Sequence, residues 1–111
     1  MERAAAILNR AAELIEKDGW IQGNWREHGA RCAGQAIYDA LPYRMDFSAS
    51  DSAWVAMRRQ IGKQRGDTMF EIAHWNDAPG RTKDEVIATL KRAASSLSKS
   101  SSQPVGGEEG E

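Results

Sequence analysis

The sequence predicts a mostly α domain, a compact bundle of four to five short helices over residues 1–95, with at most a short extended segment near residues 20–25. Three observations predict it. Apolar residues recur at helical spacing in several separate stretches. Gly, Pro and Asx residues punctuate the chain between those stretches. The 111 residues suit one domain, and a chain of this size buries upwards of about 60% of its unfolded surface around a single core. The hydrophobic fraction of 41% is low and the charged fraction of 28% high for such a core. Four Trp compensate, each ring bringing ~150–250 Å² of buriable area.

Residues 3–17 predict the first helix, with Ala4, Ile7, Leu8, Ala11, Leu14 and Ile15 in one stripe. Glu13 and Lys17 stand one turn apart on its other side. Asp18-Gly19 ends it, Gly19 being free to take the positive φ of a C-cap. Trp20 to Gly29 lacks a helical period; Trp20, Gln22 and Asn24 alternate with Ile21, Gly23 and Trp25, the pattern of a short extended piece. Ala30 to Leu41 predicts a second helix with Cys32, Ala33, Ala36 and Ile37 inward, stopped by Pro42. Ser50 or Asp51 is expected to cap a third helix reaching about Gly62, with Trp54, Met57 and Ile61 as its inner stripe. Met69 to Trp75 favours helix over strand, with Met69, Phe70 and Ala73 facing in.

The sharpest boundary is Trp75-Asn76-Asp77-Ala78-Pro79-Gly80-Arg81-Thr82. Pro79 fixes φ near −65° and Gly80 supplies a positive φ, the chemistry of a type II turn over 78–81. Thr82 follows as N-cap, with Glu85 completing a capping box. Val86, Ile87, Leu90, Ala93 and Ala94 then form the stripe of a last helix ending near Ser95. Beyond it, Ser96–Glu111 is almost devoid of apolar residues and reads as a flexible tail, because it offers too little burial to offset its ordering entropy.

The predicted core is Leu14, Ile37, Trp54, Trp75 and Leu90. The net charge of −1 exerts no global pull toward nucleic acid or membrane. Cys32 is the one cysteine, so no disulfide forms within the chain. Glu2, Arg3, Arg10 and Glu13 interrupt the N-terminal region, unlike a signal peptide, and no apolar run is long enough for a membrane span. A cytoplasmic location is the expectation.

Residues 11–23, Ala-Ala-Glu-Leu-Ile-Glu-Lys-Asp-Gly-Trp-Ile-Gln-Gly, and 75–87, Trp-Asn-Asp-Ala-Pro-Gly-Arg-Thr-Lys-Asp-Glu-Val-Ile, together resemble a family of small uncharacterised proteins of actinobacteria and their bacteriophages. Cys32 ahead of a small-residue helix is also similar to the middle of that family, whereas residues 43–66 depart from it. The matched blocks cover about a quarter of the chain. The resemblance implies a compact helical domain of phage or actinobacterial origin. It transfers no activity, and it favours a small accessory protein that acts by binding a host protein.

Several constellations invite a chemical reading. His28 and Cys32 are four residues apart, but a closed zinc site needs four ligands and only His74 and carboxylates such as Glu27 remain to complete one. An exposed His and a buried thiol is the simpler reading, and no metal or other cofactor is expected. A Cys32–His74 nucleophile pair would need an activated thiolate, whereas Cys32 falls on the apolar face of its helix. Trp75, Asn76 and Asp77 with Arg81 suit a turn as well as a pocket floor: Asp77 is expected to hold the turn, Arg81 to pair with it and Trp75 to plug the core. On that reading the segment is scaffold and the working surface lies elsewhere. Arg58, Arg59, Lys63 and Arg65 form a basic cluster suited to phosphates, or a solvated helix face. Trp20 and Trp25, in a glycine-containing irregular segment, are the best candidates for an exposed protein-binding surface, unless both rings fold over the helix at 30–41. No phosphate loop, dinucleotide fingerprint or triad signature occurs. The function expected is a non-enzymatic protein-interaction module, the alternative a small nucleic-acid-binding regulator.

Overall fold

The apolar stripe at the start of the chain folds as α1, Glu2–Asp18, with Ala4, Ala5, Ile7, Leu8, Ala11, Ala12 and Ile15 buried. The structure is a computed structural model and describes residues 2–42, 47–62 and 68–102. Gly19 ends α1 at φ +107°, its N–H donating to Ile15 O at 2.9 Å. A Cβ at this position would also stand 3.3 Å from the Ala30 Cβ, so glycine serves both the turn and the close approach.

The expected extended segment is present at Trp20, which bridges Arg31 in parallel, and a short hairpin follows it. β1 (Arg26–Glu27) and β2 (Ala30–Arg31) pair antiparallel, Arg26 opposite Arg31 and Glu27 opposite Ala30. His28 and Gly29 join them with φ of +52° and +88°, the two positive values a type I′ hairpin turn requires. Arg31 also bridges the preceding segment: its N–H donates to Gly19 O and its carbonyl accepts from Ile21 N. Because Ala30 and Arg31 are engaged in this way, the second helix starts later than expected. It is α2, Ala33–Ala40. Cys32 is its N-cap, extended at φ −79° and ψ 170°, with Sγ accepting from Gln35 N at 3.3 Å. Leu41, before Pro42, returns to extended backbone, as the proline demands.

α3 spans Phe47–Gln60 and so begins a turn before Ser50. Ala49 explains the difference, since it extends the buried line of Ala53, Ala56 and Met57 toward the N-terminus; Trp54 and Ile61 pack against the core's edge. Residues 69–75 are helical, within α4 (Thr68–Asn76). Its inward face differs from the expectation: Ile72 and Asn76 are buried, whereas Phe70 is 69% exposed. Once Ile72 points in, Phe70 sits about 200° away around the helix. The turn over 78–81 forms as predicted, with Arg81 N donating to Ala78 O at 3.1 Å and Gly80 at φ +84°.

α5, Lys83–Ser102, starts at the Thr82 cap, where Glu85 N donates to Thr82 Oγ1 at 3.1 Å. The capping box is half made, because the Glu85 carboxylate turns to Arg81 Nη1 at 2.7 Å. α5 continues past Ser95, so residues 96–102 of the expected tail are helical; Leu97 prolongs the stripe of Val86, Leu90, Ala93 and Ala94 onto the core. Residues 103–111 lie outside the described residues. α1 occupies the middle of the bundle, against α5 on one side and α2 and α3 on others, while α4 packs on α2 and α3. Of the predicted core, Ile37 and Leu90 are fully buried, and Leu14, Trp54 and Trp75 lie at its margin. Alanines fill much of the interior, which lets the helices approach closely.

Candidate functional site

Asn76, the last residue of α4, is fully buried, and a buried amide must find partners or cost stability. It finds three of them in residues 43 to 56 positions away along the chain and the fourth in its neighbour. Its Oδ1 accepts from the Trp20 indole N–H at 2.6 Å and from Ala33 N at 2.9 Å. Its Nδ2 donates to Ile21 O and to Asp77 Oδ1, each at 3.0 Å. Gln22 Nε2 donates to the carbonyls of Asn76 and Ala78 at 2.9 and 3.0 Å, and Gly23 N donates to Asp77 Oδ1 at 3.0 Å. The end of α4 thus ties down Trp20–Gly23 and the start of α2 together.

Asp77 and Arg81 consequently have roles other than those expected. An Asx turn from Asp77 would need the N–H two residues on, and Pro79 has none; its carboxylate reaches Gly23 instead. Arg81 lies over the Trp75 ring at 4.1 Å from its centroid, donates through Nε to Trp75 O at 2.9 Å, and pairs with Glu85. Trp75 is therefore a margin residue clamped by a cation–π contact.

The two tryptophans part company. Trp20 is half-buried and held by Asn76, so it is a pin rather than a surface anchor. Trp25 is 41% exposed. Its ring rests on α2 at Gly34, where a Cβ would meet the indole Cζ3 at 3.4 Å. Its backbone is fixed on both sides: its carbonyl accepts from Cys32 N at 3.0 Å, and Arg26 Nη2 binds Asp39 at 2.7 and 2.8 Å. Asp39 also accepts from Arg31 Nε at 2.8 Å and Gln35 Nε2 at 2.9 Å, and Arg31 Nη1 reaches Asp18 at 2.7 Å. Burial works against ionising Asp39, but the hydrogen bonds from Arg26, Arg31 and Gln35 outweigh it and hold the carboxyl below its ordinary value. The bonds to Asp18 and Asp39 hold the Arg31 guanidinium above its own.

Beside the Trp25 ring opens a pocket of about 260 Å³ lined by Gly23, Asn24, Trp25, Cys32, Ala73 and Asp77. Two wider depressions lie among the described residues. One, between α1 and α3, is floored by Ile7, Ala40 and Ala49 with Arg3 and Arg10 at its edge; the other is formed by Val55, Arg59 and Leu97 where α3 meets α5. In the Trp25 pocket an exposed indole, a carboxylate and a thiol converge on an already braced backbone, so it is the candidate site.

Cys32 is buried at its margin, and burial pushes its thiol pKa up, aided by the nearby charge of Asp77 and opposed by the backbone N–H groups of Gln35 and Gly34. A protonated, enclosed thiol is a poor nucleophile. His74 lies exposed on α4, and among the described residues no hydrogen bond joins it to Cys32. His28 stands at the hairpin tip with its side chain 92% exposed, away from buried Cys32. Among the described residues no group of three or more His, Cys, Asp or Glu is arranged to hold a metal ion. In the basic cluster, Arg58 Nη1 donates to Thr68 Oγ1 at 2.9 Å and Arg59 is exposed; Lys63 and Arg65 lie outside the described residues. No helix among the described residues is long and apolar enough to cross a membrane.

For Asn76 and Asp77 the sequence favoured a turn over a pocket floor, whereas Asp77 lines the pocket and Asn76 ties the segments around it. Both types are common in turns, so local chemistry explained them without a partner, and only the packed structure brings residues 20–23 against them.

The chain belongs to a family of unknown function, DUF6197, whose model matches residues 1–96. No curated protein and no solved structure matches the chain.

Proposed function

We propose that this member of the family is a non-enzymatic, cytoplasmic protein-interaction module of actinobacterial or bacteriophage origin, which binds a host protein through the surface around Trp25. The observation that carries the reading is an exposed indole on a backbone anchored from both sides, by Asp77 at Gly23 and by Asp39 at Arg26. Exposing an aromatic ring forgoes its burial, and aromatic residues anchor protein interfaces out of proportion to their number. Rigid support reduces the ordering entropy that binding would otherwise cost. Tyr38, 56% exposed, lies one helical turn from Gly34 on the same side of α2 and widens the surface.

The test is capture from an actinobacterial lysate with the wild-type chain and with Trp25→Ala. A stoichiometric partner that the wild type retains and the variant loses is expected. No such partner, or equal retention by Trp25→Ala, overturns the reading. The alternative of nucleic-acid binding has the exposure of Arg59 in its favour. It predicts a salt-sensitive shift of DNA or RNA that Arg59→Glu weakens, and no shift at low salt removes it.

A further inference from the structure

We infer that the pocket beside Trp25 receives a lysine or arginine side chain of the partner protein, with the Trp25 indole and the Asp77 carboxylate as its two recognition groups. This rests on the interaction reading above and specifies its chemistry.

Size comes first. About 260 Å³ is below the ~300–1,000 Å³ usual for small-molecule sites, and it suits the head of one side chain. Charge comes second. Asp77 is the one charged residue among the described residues lining the pocket. Among the described residues its carboxylate has no ion pair, although the arginines of the region are all engaged: Arg31 with Asp18 and Asp39, Arg26 with Asp39, and Arg81 with Glu85 and the Trp75 ring. Asp77 Oδ1 accepts from Gly23 N and Asn76 Nδ2, which fixes the carboxylate, while Oδ2 has no hydrogen bond among the described residues. Asn24 adds an amide oxygen, its Nδ2 being spent on Glu27 Oε1 at 3.2 Å.

An aromatic ring and a carboxylate lining one pocket are the pairing that attracts an ammonium or guanidinium. An anion would be repelled by Asp77, and an apolar group would desolvate that carboxylate without compensation. Among the described residues no three His, Cys, Asp or Glu are grouped to hold a metal ion here. Burial raises the pKa of the Cys32 thiol and so disfavours a second negative charge beside Asp77.

The full-length chain is titrated with N-acetyl-lysine methylamide and N-acetyl-arginine methylamide, followed by ¹H–¹⁵N spectra and Trp fluorescence. N-acetyl-norleucine methylamide serves as the neutral isostere, and free putrescine as the diffusible-amine arm. The expected result is shifts at Gly23, the Trp25 indole N–H and Asp77 with the two cationic probes, weakened by added salt. Affinity should fall about tenfold in Asp77→Asn, which keeps Oδ1 as acceptor, and by a similar factor in Trp25→Leu. Norleucine binding as well as lysine, or salt-independence in the wild type, overturns the inference without recourse to a variant. Putrescine binding more tightly than both side-chain probes overturns the assignment to a partner's side chain. Against a captured partner, loss by Trp25→Ala with retention by Asp77→Asn refutes the cation pocket and leaves the interaction surface standing. Retention by Trp25→Ala refutes the surface itself.

Discussion

Where α5 runs along α1, the chain is held by Leu8, Ile15, Val86, Leu90 and a series of alanines, all buried, whereas residues 19–32 are held to the same core chiefly by hydrogen bonds and ion pairs. The apolar packing of that segment is small beside these: Trp20 against the core's edge, Ala30 against Gly19, buried Cys32, and the Trp25 ring against Gly34. Its other fixings run through Asn76, Asp77 and Asp39. The contrast shows how a surface is made both exposed and rigid. Apolar packing would hide the Trp25 ring in order to hold it; polar bonds to its neighbours hold the backbone and leave the ring in solvent.

The sharpest way to break the comparison is to damage the two regions separately. Leu90→Ala or Ile15→Ala should cost about 2–5 kcal/mol and lower the thermal midpoint of the whole chain in a single transition. Asn76→Ala should cost somewhat less, roughly 2–3 kcal/mol, because it leaves the Trp20 and Ala33 N–H groups enclosed without an acceptor. Its signature in hydrogen exchange should be loss of protection in residues 19–33 while α1 and α5 remain protected. Uniform loss of protection would show that the segment is no separate unit. Thr82→Ala should remove about 1 kcal/mol by unsatisfying the Glu85 N–H, without altering Trp25 fluorescence.

The smallest effect is expected from pH. The folded-state value of Asp39 is lowered, so its contribution is complete above the ordinary carboxylate pKa of about 4. It is lost as pH falls through the lower folded value. Urea denaturation of the wild type should weaken across that acid window, and Asp39→Asn should flatten the dependence. The raised value of Arg31 gives stability present at all ordinary pH and lost only at strongly basic pH. If Asp39→Asn leaves the acid limb unchanged, the ion-pair cluster is not what fastens the hairpin.

Much of the bundle was legible because its causes are local. The stripe of α1, the Pro42 stop and the Pro79-Gly80 turn each follow from a period or a dihedral restriction acting within a few residues. The inward face of α4 was misread because Phe70 is more hydrophobic than Asn76, yet four hydrogen bonds to the Asn76 side chain make that position the buried one. The hairpin was missed for a related reason. His28 takes the positive φ usually given to Asn or Gly, and the strands of two residues each carry no readable alternation.

By itself, then, the sequence determined which stretches are helical, where α1 and α2 stop, and that no charge excess or disulfide shapes the chain, since these depend on neighbours along the backbone. The starts of α2 and α3 and the end of α5 were set by packing. The tertiary structure alone decided that Trp20 is pinned and Trp25 shown, that Asp77 turns from its own loop to Gly23, and that a pocket lies between them. The pinning of Trp20 and the reach of Asp77 depend on partners 54 to 56 residues apart, and no local pattern encodes which of two similar side chains will meet them.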